Sequence, residues 1–393
     1  MTRDIVIIGA GPAGLSFARS LKDSNLKLLI IEKSTAQAIR EPAPDGREIA
    51  LTHLSVKLMQ ELGVWTRIAA ESISPIKTAK VLDGNSPYFL GIDSDRETDE
   101  ALGFLVPNYL IRQALYEAVE TQDNIEFMTE ISVDSLSTGQ QSGIVHLSNG
   151  ESREATLIVA ADSRFSETRR AMGIGASMKD FAKTAIVCRM EHQKPHEQTA
   201  FECFHYGRTL AVLPMPGNLS SIVITADNEF ADEIVNMEES LFNRDIAQRF
   251  GHRLGEMKLI GKRYSYPLVA SHADRFVANR YAVIGDASVG MHPVTAHGFN
   301  LGLRGQATLA AQIIKAVEHG RDIGSTPVLQ RYETIHMRVT KPMYWGTNGI
   351  VGLFTNDKPS AKAARSILLR IANNCPPIKH MIKNRLTELR GGV

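Results

Sequence analysis

DIVIIGAGPAGLSFARSLKDSNLKLLIIEK, residues 4–33, decides the fold. Ile5 to Ile8 is an unbroken β-branched run, the pattern of a parallel strand buried on both faces. Pro12 to Asp23 has helical spacing, and Leu28 to Ile31 reads as a second buried strand, giving one βαβ unit. Gly9, Gly11 and Gly14 form GxGxxG at the strand-to-helix turn. The first glycine permits the tight turn, the second lets backbone approach a pyrophosphate, and the third allows close helix–strand packing. The helix N-terminus offers unpaired N–H groups to the phosphates. Glu32 closes the second strand, where a carboxylate accepts from ribose hydroxyls. These residues imply a dinucleotide without a 2′-phosphate and leave flavin and nicotinamide both open.

Outward from this unit, 393 residues suit two domains with a helical appendage. A 43% hydrophobic and 22% charged composition excludes disordered and fibrous classes. With 44 basic and 43 acidic residues there is no global field to attract nucleic acid. No apolar run approaches the roughly 20 residues of a spanning helix. Cys188, Cys203 and Cys375 form no CxxC pair and are expected reduced and buried. The histidines show no metal-ligand spacing, so no metal is expected. The short apolar run before Gly9 is no signal peptide, and a cytoplasmic protein is expected.

Further helices are expected from Ser55 to Trp65, from Asn108 to Glu120 and from about Leu301 to His319. Ile125 to Val159 is strand-like with a turn at Asn149-Gly150, and Lys183 to Thr225 is strand-rich. After Arg331 the pattern is mainly helical. The reading is α/β: a Rossmann-like nucleotide-binding domain built from 1–75, 100–180 and 265–335. An antiparallel β-sheet substrate domain from 76–99 and 181–264 is inserted in it, and 336–393 forms a C-terminal helical region.

LIVAADSRFSETRR (157–170) and RYAVIGDASVGMHPVTAHGFNLG (280–302) resemble the second and third motifs of flavoprotein aromatic hydroxylases with the p-hydroxybenzoate hydroxylase fold. The resemblance spans most of the chain and implies FAD. It places Asp162 on the pyrophosphate side, Gly285 and Asp286 at the ribityl chain, and Pro293 in the loop beside the isoalloxazine. Gly298, Phe299 and Asn300 then open a helix whose dipole stabilises charge on the flavin. Arg47, in DGREIALTHLSVKLMQELGVW (45–65), and Arg112, in LIRQALYEAV (110–119), resemble cofactor-facing arginines. Ala10, Pro12, Ala13, Lys33 and Val133 complete the implied cofactor set. Each arginine also reads as a solvated charge. Ala160 and Ser163 replace the glycines usual in the second motif, which weakens the expectation that nicotinamide docks there.

HPVTAHGFNLGLRG (292–305), TNGIVGLFTND (347–357) and CPPIKHMI (375–382) resemble the ubiquinone-biosynthesis branch of the family, and its broad-regiospecificity 5-demethoxyubiquinol hydroxylase type. The first string departs at Thr295, Ala296, His297 and Gly305; glycine, glutamine and aspartate are usual at the last three. The resemblance implies hydroxylation of a lipophilic, polyprenylated phenol by O₂, with NAD(P)H or a reductase partner as electron donor. The alternatives are an FAD-dependent isoprenoid reductase and a non-catalytic flavin-binding scaffold of a biosynthetic complex. A base that takes the phenolic proton is expected, with His205 and Tyr206 as candidates. His297 can hold a proton near neutral pH, so an acid–base role beside Pro293 is expected of it. Residues 361–393 carry seven basic residues against Glu388 alone. Interleaved with Ile367, Leu368, Ile371 and Ile382, they are expected to touch the inner face of a membrane or a biosynthetic complex.

Overall fold

A computed structural model describes residues 3–84, 89–94, 100–204, 208–292, 297–354 and 358–388. The β-branched run before Gly9 forms the strand Arg3–Ile8 at the centre of a sheet, pairing in parallel with Leu28–Ile31 and with Ser152–Ala160. Ile7 lies opposite Ile30 on one side and Val159 on the other. Ile5, Val6 and Ile7 are wholly buried, as the continuous apolar run requires. Ile125–Met128 and Tyr281–Val283 extend the sheet in parallel at either side. The helix Pro12–Ser20 packs between Asn108–Glu120 and His297–Glu318. The expected start of the last helix near Leu301 is thus four residues late, because Gly298 and Gly302 mask its periodicity.

A second sheet carries eight strands, most of them antiparallel, and includes the 17-residue strands Ala176–His192 and Met257–Ala273. These long strands run through the positions expected as domain boundaries, 180/181 and 264/265. One pair departs from the expected antiparallel pattern: Thr199–Phe204 runs parallel to Thr78–Asp83, a strand delivered from an earlier part of the chain. Alternation along the strands splits the sheet into two faces. Ile186, Cys188, Met190, Ile222 and Ile224 bury against the helices Asn228–Asn236 and Glu239–Arg249. Val187, Arg189, Ser221 and Leu213 point the other way.

That second face meets a small antiparallel sheet of Glu48–Leu51, Gly103–Pro107 and Ser74–Ile76. Ala50, Leu105, Ile76 and Met215 pack there against Ala200, Leu213 and Leu219. The expected Ser55–Trp65 helix is His53–Glu61, started by Thr52, whose hydroxyl accepts from Ser55 N–H.

Three helices close the chain: Thr326–Phe354, Pro359–Asn374 and Pro376–Thr387. They dock on the outer strands of the second sheet through Phe354, Leu369 and Ala372 against Leu90, Ile92 and Phe204. Two surface expectations are corrected here. Arg365 is wholly buried and donates to the carbonyls of Leu353 and Phe354, sewing one helix to the next. Ile382 packs against the same cluster instead of facing outward. Cys188 and Cys203 are buried and their thiols pushed up to about 12 by burial, whereas Cys375 is only half-buried, at a helix junction. Among the described residues no helix is long and apolar enough to cross a membrane.

Candidate active site

The three motifs meet at one place. Gly9 has φ +108° and packs so closely under the end of strand 152–160 that a Cβ would lie 2.6 Å from the Ala161 carbonyl oxygen. At Gly14 a Cβ would meet the Gly9 carbonyl oxygen at 2.0 Å, while at Gly11 it would meet nothing within 4 Å. Gly11 therefore borders open space at the N-terminus of helix 12–20, which has no side-chain cap. This is the cradle a pyrophosphate fills. The Glu32 carboxylate accepts from Ala10 N–H at 2.7 Å and from Ser34 N–H at 2.9 Å, holding its oxygens beside the turn with lone pairs left for ribose hydroxyls. The residues present fit FAD.

Asp162 follows directly on Ala161, and its Oδ2 accepts from the hydroxyls of Ser166 at 2.8 Å and Thr168 at 3.2 Å. Its Oδ1 is buried and has no hydrogen-bond partner among the described residues. Gly285, at φ +61°, sits where a Cβ would come within 2.6 Å of the Ala13 methyl, and Asp286 projects, part-exposed, from the same turn. Arg164 Nη2 donates to Asp286 Oδ2, and its Nη1 donates to the Val269 carbonyl. His297, Gly298, Phe299 and Asn300 form the first turn of helix 297–318, with His297 buried. Asn300 reads the small sheet: its Nδ2 donates to the Ala50 carbonyl at 2.9 Å and its Oδ1 accepts from Thr52 N–H at 3.1 Å. Arg304 and Thr52 both donate to the carboxylate of Glu388, bringing the chain's last helix to the same edge.

The remaining expected site residues are more dispersed. Arg47 is half-exposed, folded onto Asp45 and stacked over the Tyr266 ring. Arg112 is part-exposed on helix 108–120, Lys33 is exposed, and Val133 opens the hairpin strand Val133–Thr138. Pro293, His205 and Tyr206 lie outside the described residues. The departure at Gly305 has a packing cause: a Cβ there would strike the His336 ring at 2.6 Å. His292 is buried against Phe181, and burial, assisted by Lys179, pushes its imidazole down to about 4. Among the described residues no cluster of three His, Cys, Asp or Glu could hold a metal ion.

Between the small sheet and the second sheet lies a group that the sequence did not single out. Glu48 is next to Arg47 in chain order but faces the opposite way, with a side chain 1% exposed. Its Oε1 accepts from Arg189 Nε at 2.9 Å and Nη2 at 2.7 Å, across the gap between the sheets. Burial, opposed by Arg189, pushes this carboxyl up to about 7. Ser221 is the cross-strand partner of Arg189, and its buried hydroxyl has no partner among the described residues. Along the adjoining row, Val187, Val223, Ala211 and Glu202 are successive cross-strand partners and share this face. Burial pushes the Glu202 carboxyl up to about 8. Glu48 and Arg189 thus form an ion pair in the seam between the two sheets. The strand of Glu48 packs Ala50 into the apolar cluster of Ile76, Leu105 and Met215, and the Ala50 carbonyl accepts from Asn300.

The family described as "FAD binding domain" matches residues 2–344, and the chain belongs to it. "Ubiquinone hydroxylase UbiM" of Neisseria meningitidis is 45% identical, the match covering 98% of this chain and 84% of that protein. "Ubiquinone hydroxylase UbiL" of Rhodospirillum rubrum is 32% identical over 96% of this chain and 88% of its own length. Among solved structures, p-nitrophenol 4-monooxygenase PnpA of Pseudomonas putida superposes with a TM-score of 0.79 at 16% identity, covering 100% of this chain and 99% of that one. The fold is that of the FAD-dependent monooxygenases.

Proposed function

We propose that this protein is an FAD-dependent monooxygenase that hydroxylates the aromatic ring of a polyprenylated phenol in ubiquinone biosynthesis. The observation that carries this reading is the dinucleotide cradle at Gly9, Gly11 and Glu32, with Asn300 joining a neighbouring helix terminus to the apolar seam between the two sheets. The names of the relatives support the substrate class. Bound and reduced, FAD supplies the electrons that activate O₂ for transfer of one oxygen atom to the ring. The protein's own part is to bind and position. Gly11 and the 12–20 helix terminus receive the pyrophosphate, and Glu32 the ribose. Asp162 and Asp286 flank the cradle, and the 297–318 helix terminus would stabilise negative charge on the flavin.

NAD(P)H or a reductase partner supplies the electrons. The helix 359–374 exposes Ile367, Leu368 and Ile371 beside Lys362 and Arg370, and the helix 376–387 exposes Met381, Leu386 and Arg385. Apolar side chains set among cations suit the surface of an anionic membrane, where a polyprenyl tail resides. Aerobic turnover of a prenylated phenol by FAD-loaded protein tests the reading: a ring-hydroxylated product supports it, and a product with only a reduced prenyl chain points to an isoprenoid reductase.

A further inference from the structure

The last helix, 376–387, lies beside helix 326–354 with an open groove of about 430 Å³ between them. Its walls include Arg304 of helix 297–318, Val339 and Met343, and Met381, Arg385 and Glu388. Neither the nucleotide cradle nor the pairing of the sheets uses this space.

The sequence makes the two ends of the groove different. His336 packs on Gly305, next to Arg304, so helix 326–354 leaves that end in the order Val339, Met343, Gly346, Ile350. These four residues follow a 4-3-4 spacing and share one helical face. Val339 and Met343 are half-buried and form the floor. Beyond them a Cβ on Gly346 would meet nothing within 4 Å, and Ile350 is 46% exposed. At about 1.5 Å of rise per residue the apolar strip is roughly 16 Å long. Met381, 59% exposed, lines the same groove from helix 376–387. That shape suits a hydrocarbon chain.

The Arg304 end is cationic. Arg304 Nη1 donates to Glu388 Oε1 at 3.3 Å, and Thr52 Oγ1 donates to Glu388 Oε2 at 2.8 Å, so the acid that lines the groove is already engaged. Arg385 stands one turn before Glu388, is exposed, and has no ion-pair partner among the described residues. Helix 376–387 adds Lys379 and Lys383 and contains no acidic residue. An anion entering here meets a positive field beside an apolar wall.

We propose that this groove binds one molecule of an anionic phospholipid, its phosphate on Arg385 at the Arg304 end and an acyl chain along Val339, Met343 and Met381. The inference is independent of the ring-hydroxylase reading. It also differs from attraction of the C-terminal surface to a membrane, because a groove takes one lipid, saturates, and needs no bilayer. A neutral prenyl chain would use the floor and leave Arg385 idle. Free phosphate would use Arg385 and leave the floor bare. A charged end and an apolar length together select a ligand that has both.

The test titrates full-length, FAD-loaded protein by calorimetry with dihexanoyl phosphatidylglycerol below its micelle threshold. Parallel titrations use dihexanoyl phosphatidylcholine, inorganic phosphate and a short prenyl alcohol. The expected result is one phosphatidylglycerol site per chain, at least about tenfold tighter than any of the three. Equal affinity for phosphatidylcholine or the prenyl alcohol overturns the anionic assignment, and equal affinity for phosphate overturns the lipid. Arg385→Gln should weaken binding about fivefold, the worth of one cation near an anionic head group. Met381→Asp should weaken it about tenfold or more. Both side chains are exposed, so Tm should stay near that of wild type. Ile367→Asp with Leu368→Asp, on the preceding helix, should leave this binding unchanged. Wild-type affinity in both Arg385→Gln and Met381→Asp, loss of binding in the Ile367 and Leu368 double variant, or no saturable phosphatidylglycerol binding overturns the proposal.

Discussion

Arg164 donates from Nη2 to Asp286 Oδ2 at 3.1 Å, bridging a loop that follows the first sheet's 152–160 strand and a turn 122 positions later in the chain. The same arginine holds the Val269 carbonyl at 2.9 Å. One side chain thus ties the turn that presents Asp286 to strand 257–273. The nucleotide-binding turn and the second sheet are positioned against each other by a cation that the sequence offers only as a charge near Asp162.

The glycine turn separates a binding effect from a folding effect. Gly11→Val should leave Tm within about 0.5 kcal/mol of wild type in stability terms, since nothing stands within 4 Å of its Cβ, yet abolish FAD retention. Gly14→Ala, whose Cβ would overlap the Gly9 carbonyl oxygen, should cost about 1–3 kcal/mol before any cofactor is added. Thermal melts of apo protein and flavin content after reconstitution check both. Full FAD occupancy in Gly11→Val contradicts this placement of the pyrophosphate.

The acid–base role expected of His297 competes with a role in which its ring only hydrogen-bonds. The ring is buried in the first turn of helix 297–318. Glutamine offers the same donor and acceptor capacity. If His297 exchanges a proton in the reaction, the hydroxylation–pH profile of wild type should show an ionisation that His297→Gln lacks. Superimposable profiles would reduce His297 to hydrogen bonding and packing.

His336 makes stability fall in acid. Its ring is buried against Tyr332 and Phe276, and burial, helped by Arg304 and His272, pushes it down to about 3 from the ordinary 6.5. A depressed imidazole is neutral in the native state, and the unfolded chain takes up the proton first. Its contribution is whole above 6.5 and is lost at about 1.4 kcal/mol per pH unit as pH falls from there toward 3. His336→Leu should flatten the decline of Tm between pH 6.5 and 4.5; an unchanged slope contradicts this.

Liposome sedimentation examines the C-terminal surface. Deleting residues 361–393 would uncover Leu90 and Ile92, so point changes are the cleaner probe. Ile367→Asp with Leu368→Asp should reduce binding to anionic vesicles at least tenfold and leave Tm nearly unchanged, since both side chains are exposed. Equal sedimentation of variant and wild type removes the membrane role.

What the sequence revealed follows from the range of the signal. Gly9, Gly11, Gly14 and Glu32 are read from one βαβ unit, whose turn and strand signals are local. The Gly285-Asp286 turn is legible for the same reason. Glu48 and Arg189 are separated by 141 positions, and each reads as an ordinary charge until the sheets face one another. Arg365 misled in the reverse sense: a cation on a basic helix reads as solvated, yet it caps the carbonyls of Leu353 and Phe354. The small sheet escaped notice because its three strands are short and come from separate segments.

The central claim, that this protein hydroxylates an aromatic ring with oxygen from O₂, is tested most directly by isotope. Reduced, FAD-loaded protein is mixed with ¹⁸O₂ and a prenylated phenol, and the product is analysed by mass spectrometry. The account predicts one ¹⁸O atom in a new ring hydroxyl. A product with a saturated prenyl chain and no label, or a hydroxyl oxygen drawn from water, would contradict it.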